Sequence, residues 1–239
     1  MNQAVPPDPS DSSAKSGSTS FAAHENPLLS ESPEVWNRLI EAVGPASLLV
    51  VIANRLGSRL ARHHSPDDVL QETLLHAWRD RTRCAWTGVA GFRRWLLKII
   101  DHRIHDLADR ESAQKRGGGR AAIAFSTLQI GGASSQTWQW AGPSPATTPS
   151  RAAEASERAL AMGEALEALP EELREVVRLR LFEDLQLAEI AERLDLGASA
   201  VAHRFRKGAA EYRRHLVCVL ATQSRLALEG SPPTPSSAD

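Results

Sequence analysis

From Ser112 to Ser150 the chain reads "SAQKRGGGRAAIAFSTLQIGGASSQTWQWAGPSPATTPS". Gly, Ser, Thr and Pro dominate this stretch, and no apolar periodicity survives in it. It has too few large apolar side chains to offset the entropy lost on ordering it. A structureless loop of this length is uncommon inside a compact domain. The stretch therefore divides the chain into two blocks joined by a tether. Trp138 and Trp140 are unusual in a passive tether, and they fit a docking role as well as a local clip onto either block.

Both blocks are helical by pattern, because apolar residues recur at three- and four-residue steps and period-two alternation is nearly absent. In "SPEVWNRLIEAVG", Ser32 is the N-cap, Pro33 the first helical position, and Gly44 the stop. Trp36, Leu39, Ile40 and Val43 form its apolar face. A second helix carries Leu48, Val51, Ile52, Arg55, Leu56 and Leu60 at the same spacing. In "SPDDVLQETLLHAWRDR", Ser65 caps and Pro66 opens, while Asp67 and Asp68 place negative charge at the positive end of the helix dipole. Leu70, Leu74, Ala77 and Trp78 face inward. The loop "TRCAWTGVAG" leads to "FRRWLLKIIDHRIHDLADRE", whose inner face is Phe92, Trp95, Leu96, Ile99 and Leu107.

Beyond the tether, "RAAEASERALAMGEALEAL" is followed by "PEELREVVRLRLFEDL", with Leu173, Val176, Val177 and Leu181 inward. Next comes "LAEIAERLDLGASAVAHRFRK". Leu187, Ile190, Ala191 and Leu194 form one short apolar face, "DLG" makes a turn, and Val201, Phe205, Gly208 and Tyr212 form a second face. Ala198, Ser199, Ala202, His203, Arg206 and Lys207 are left outward, as on a recognition helix entering a major groove. Two helices merely meeting at a glycine are the plainer alternative. The sequence thus predicts an all-α fold of two small helical domains on a long flexible linker, the C-terminal one a helix-turn-helix. The expected division is a disordered tail over 1–31, a domain over 32–111, the linker over 112–152, a domain over 153–220, and a mostly disordered tail over 221–239.

The formal net charge of −1 over 239 residues conceals a partition. Arg93, Arg94, Lys98, Arg103, Arg110, Lys115, Arg116 and Arg120 are diluted by Asp101, Asp106, Asp109 and Glu111. A second basic group, Arg204, Arg206, Lys207, Arg213 and Arg214, is opposed by Glu211, and an acidic stretch around Glu171, Glu172, Glu175, Glu183 and Asp184 separates the two. Two separated basic patches on a neutral chain point to two contacts with a polyanion. Solvated helix faces account for either patch alone. Cys84 and Cys218 match no metal or redox spacing, and the expectation is a pair of reduced thiols. No signal peptide or membrane-spanning run is read, so the expected location is cytoplasmic, without membrane insertion.

Taken together, the two blocks resemble bacterial RNA polymerase sigma factors. "SPDDVLQETLLHAWRD" resembles the region-two helix: two acids, two aliphatics, "QET", then "AW". "FRRWLLKIIDHRIHDLADR" looks like the helix that follows it. "LEALPEELREVVRLRLFEDLQLAEIAERLDLGASAVAHRFRKGAAEYRRHL" resembles region four. With no room for a separate region-three domain, the chain is identified as a member of the extracytoplasmic-function class of the sigma-70 family. The resemblance implies promoter DNA and core RNA polymerase, through its beta-prime and beta subunits, as partners, with no cofactor and no catalysis. An anti-sigma factor is usual in the family.

By the same resemblance, Asp68, Gln71 and Glu72 grip the beta-prime subunit; they share one helix face. The loop Arg83–Gly91 and Arg93, Arg94, Lys98, His102 and Arg103 fall where the family opens the minus-ten element. His102 stands where Asn is frequent. Ser199, Ala200, His203, Arg204 and Lys207 fall where it meets the minus-thirty-five element. Ala202 departs from a commonly basic position, and Gly208 weakens its helix by about 1 kcal/mol against Ala. Two rival readings are weaker. A stand-alone helix-turn-helix regulator needs an effector pocket or phosphoacceptor domain in the first half. The doublet His105–Asp106 in "HRIHD" is superficially that of a metal-dependent phosphohydrolase, but such a site needs further ligands converging on it.

Overall fold

The computed structural model describes Phe21, residues 26–115 and residues 149–229 of the chain. Trp138, Trp140 and the rest of the tether's centre lie outside the described residues. Among those described there are eight α-helices and no strand: α1 Pro33–Val43, α2 Pro45–Leu60, α3 Pro66–Asp80, α4 Val89–Lys115, α5 Pro149–Glu167, α6 Glu171–Leu181, α7 Leu187–Leu194 and α8 Ala198–Glu229. The all-α expectation holds, and the elements overrun its boundaries. Helix α4 ends later and α5 begins earlier than the expected linker, and α8 runs past residue 220. Order also starts before Ser32, because Pro27–Leu29 forms a 3-10 turn with Leu28 only 1% exposed.

Local chemistry sets the helix starts. Ser32 Oγ accepts from the Val35 N–H at 3.4 Å, and Ser65 Oγ from the Asp68 N–H at 3.1 Å, with Pro33 and Pro66 in the first turns. Gly44, at φ 82°, donates its N–H to Ile40 and Glu41 and turns the chain sharply from α1 into α2. Helix α2 is unusual in that Leu48, Leu49, Val50, Val51 and Ile52 are all buried. Five consecutive residues exceed one helical turn, so this part of α2 is apolar all round and has to be covered on every side. Helices α3, α4 and α5 all pack against it. No single helix among the described residues is long and apolar enough to cross a membrane.

The C-terminal block has a small core of its own in Val176, Leu179, Ile190 and Val201, with Leu187, Ala191, Leu194 and Phe205 packed on it. Its other apolar residues, Leu166, Leu169, Val177, Phe182 and Tyr212, belong to the same core as α1–α4. The two blocks are therefore in contact through α5 and the turn after α6. The inward face of α6 is Leu173, Val176, Val177 and Leu179; Leu181, expected inside, is 42% exposed. The chain leaves the helical track at that point, and Phe182 takes the buried position instead.

In "DLG" the left-handed residue is Asp195 (φ 51°), not Gly197. Asp tolerates this conformation, because its short polar side chain substitutes locally for backbone partners. The glycine that the fold does need is Gly208. A Cβ there would lie 2.7 Å from Val177 Cγ2 and 3.3 Å from the Leu173 carbonyl oxygen. Its weak helix propensity is thus the condition for α8 to close onto α6. Gly208→Ala gains about 1 kcal/mol of propensity but overpacks at about 1–3 kcal/mol. A urea unfolding curve should show a net loss of stability, and an increase would contradict this packing.

Candidate nucleic-acid and partner interface

Three surfaces carry the residues singled out from the sequence. On α3, Asp68, Gln71 and Glu72 are exposed, while Val69, Leu70, Thr73, Leu74 and Ala77 are buried. The Thr73 hydroxyl donates to the Val69 carbonyl at 2.7 Å, which lets a polar residue sit on the inner face. The result is a rigid helix with one acidic, amide-bearing strip in solvent. Asp67, beside it, is already engaged: Ser156 on α5 donates to its Oδ1 at 2.6 Å.

On α4, Arg94, Lys98 and His102 are exposed at four-residue steps and so form one stripe. The helix start is anchored by a cluster of aromatic rings. Trp36 meets Trp78 at 5.1 Å and Phe92 at 5.8 Å, edge-on, and Phe92 meets Trp95 at 5.7 Å. The loop before α4 is held similarly, with the Arg81 guanidinium 4.0 Å over Trp78 and Phe21 edge-on to Trp86. Arg93 and Arg103 do not join the exposed stripe. Arg103, with only 18% of its side chain exposed, pairs with Asp106 at 3.2 Å. Burial, then Arg103 and Arg79, lower the pKa of His76 on α3.

Arg93 turns inward and reaches across the molecule. It donates to the Val43 carbonyl at 3.0 Å, the Ser47 hydroxyl at 2.8 Å and the Phe182 carbonyl at 2.7 Å. Burial lowers its pKa, with Asp184 acting in the opposite direction. Beside it is a cluster that the sequence reading missed. Arg55 bonds Asp101 of α4 at 2.6 Å and Glu183, just after α6, at 2.9 Å; Arg178 also bonds Glu183. The available signal was Arg55 itself, a cation standing among the apolar residues of α2.

On α8, Ser199, Ala200, His203 and Lys207 are exposed around the buried Val201. Arg204 is partly covered and pairs with Glu172 of α6 at 3.3 Å. Helix α7 begins with Glu189 accepting from the Gln186 N–H at 2.6 Å, and α7, turn and α8 pack as a helix-turn-helix with its second helix open to solvent.

Substitutions distinguish the inward cation from the outward ones. Arg93→Ala leaves two carbonyls and a hydroxyl without their donor, and it should lower the unfolding free energy by about 2 kcal/mol. Lys98→Ala should change it by less than about 0.5 kcal/mol. Equal urea midpoints for the two variants would contradict this assignment.

Comparison with known families agrees with this geometry. Residues 46–114 match the model described as "Sigma-70 region 2", and residues 159–211 match "Sigma-70, region 4". The two stretches together span just over half of the chain. The first contains the α3 strip and the α4 stripe; the second contains the helix-turn-helix. No curated protein matches the chain. Regions 2 and 4 carry a role in promoter recognition, and both are present here in the family's order. The chain belongs to the sigma-70 family, as a sigma factor of the extracytoplasmic-function class.

Proposed function

We propose that this chain binds core RNA polymerase through Asp68, Gln71 and Glu72 and delivers it to promoters read at two separated elements. The observation that carries the reading is the α3 strip: three polar residues exposed on a helix whose opposite face is wholly committed to the core. A strip with rigid backing loses little entropy on docking. Arg94, Lys98 and His102 supply a cationic track for the separated strand at the minus-ten element. Such a track gives affinity without sequence preference, so base choice falls to the loop before α4. Ser199, Ala200, His203, Arg204 and Lys207 meet the minus-thirty-five duplex, with the N-terminal end of α8 in the major groove.

In this reading the chain performs no covalent chemistry. It lowers the barrier to promoter recognition and strand opening, while polymerase makes RNA in the cytoplasm. The loop before α4, with Trp86 and the Arg81–Trp78 stack, borders the place where an unstacked base would be held. An anti-sigma factor fits the reading as a regulator that competes for these same surfaces.

The test is binding of the full chain to core polymerase, beside a variant with Asp68→Ala, Gln71→Ala and Glu72→Ala. All three side chains are exposed, so the variant should keep its stability within about 1 kcal/mol. Its affinity should fall by about a hundredfold or more, as when an interface loses its central contacts. Equal affinity of the two proteins would remove the strip from the mechanism. Sequence-specific DNA binding by a wild-type chain that ignores polymerase would replace the reading with a stand-alone regulator.

A further inference from the structure

We infer that the short flank before α1, made of Phe21 and residues 26–31, belongs to the minus-ten site: it positions the loop over residues 84–88 that leads into α4. The flank lies outside the stretch 46–114 that matches region 2. What this positioning achieves rests on the proposed function; the contacts themselves do not.

The loop holds itself poorly. At its two ends the Cys84 N–H donates to the Arg81 carbonyl at 3.2 Å and the Phe92 N–H to the Gly88 carbonyl at 3.0 Å. Residues 85–87 between them make no backbone–backbone hydrogen bond among the described residues. Arg81 Nε and Trp86 Nε1 are buried with no acceptor among the described residues. Fixing an irregular stretch costs conformational entropy, and hydrogen bonds do little to offset it here. Side-chain packing has to supply the difference.

The flank provides that packing. Asn26 Oδ1 accepts from the Leu28 N–H at 3.0 Å, and the Ser30 N–H donates to the Pro27 carbonyl at 3.2 Å, which closes the turn Pro27–Leu29. Pro27 and Leu28 are buried, and the turn packs against both α1 and the 3-10 turn Arg81–Arg83. Phe21 meets Trp86 edge-on at 6.2 Å, and the Arg38 guanidinium of α1 lies 5.7 Å from the centre of the same Phe21 ring. One ring thus ties α1 to the loop. Glu31 pairs with Arg81 at 3.7 Å, but it is 90% exposed and adds little. The rings that anchor the start of α4 are Trp36, Trp78, Phe92 and Trp95. Trp86 is outside that cluster, and its ring partner among the described residues is Phe21.

Capturing an unstacked base favours a loop already in its bound shape, because ordering on contact subtracts from the binding free energy. Loss of the Phe21 ring should therefore weaken strand opening. It should leave polymerase docking intact, since Glu72, the strip residue nearest to the loop, is about 14 Å from Arg81 at the helical rise per residue. Phe21 is a positioning residue, acting through Trp86.

The experiment compares the full wild-type chain with Phe21→Ala and with Phe21→Tyr, which keeps the ring. Trypsin reads the loop directly through cleavage after Arg83, with cleavage after Arg62, on the exposed turn that follows α2, as the internal reference. With core polymerase and promoter DNA, permanganate reactivity of unpaired thymines reads opening, and titration reads polymerase affinity. Phe21→Ala should speed cleavage after Arg83 by about three- to tenfold, the factor that one aromatic pair supplies. Cleavage after Arg62 and polymerase affinity should not change, opening should fall by about threefold or more, and Phe21→Tyr should restore both. Unchanged cleavage after Arg83, or equal acceleration at Arg83 and Arg62, overturns the inference. So does a loosened loop with unchanged or increased opening. If the wild type neither binds polymerase nor opens DNA, the proposed function fails instead. Trypsin then still decides whether the flank holds the loop: selective acceleration at Arg83 supports it, and its absence overturns it.

Discussion

Over Leu48–Ile52, helix α2 is apolar around its whole circumference, and the rest of the molecule is arranged to cover it. Leu48 and Ile52 are wholly buried, and Leu49, Val50 and Val51 nearly so. Burying each such side chain is worth about 1.5–3 kcal/mol, so an uncovered face of α2 would be a serious loss. Helices α3 and α4 belong to its own block, and α5 comes from beyond the tether. The closure of the two blocks upon each other follows from this demand, not from contact between the exposed α4 stripe and the exposed face of α8.

Once α5 is seated, the positions of the charged groups follow. The turn after α6 brings Phe182 into the common core at 1% exposure, and the residues beside it come into reach of Arg55 and Arg93. Hydrogen bonds to a charged donor are worth more than neutral ones, and more again where water is excluded. The polar contacts therefore fix the orientation of blocks that apolar packing has already brought together. Separating the blocks would uncover this face of α2 and leave Arg93 without its acceptor at the Phe182 carbonyl.

Much of the candidate site was legible beforehand, and for definite reasons. Ser32–Pro33 and Ser65–Pro66 mark helix starts through local bonds that need no tertiary context. Helical spacing then dictates that Asp68, Gln71 and Glu72 share an outer face once Leu70, Leu74 and Ala77 are inside. Arg94, Lys98 and His102 separate from the interior by the same arithmetic. The inward turn of Arg93 and Arg103 was not legible, since a basic residue beside an exposed one reads the same in sequence whether it meets solvent or an acceptor within the fold. Leu181 and Phe182 exchanged roles because periodicity assumes that the helix continues, whereas the chain turns there. Gly208 seemed a defect in its helix, and only the nearness of Val177 reveals its use.

The amino-acid sequence by itself determined the helices, their caps, the solvent faces of α3 and α8, and the separation into two blocks with a tether between. These depend on interactions within a few residues, or on a period of 3.6, and both are written in the order of side chains. The tertiary structure alone decided which block covers α2, which of the arginines points inward, and that Glu183 is held from two sides. Such facts depend on pairs far apart in the chain. Their geometry exists only after apolar burial has brought the pairs together, and no local pattern encodes which distant partner will complete a buried charge.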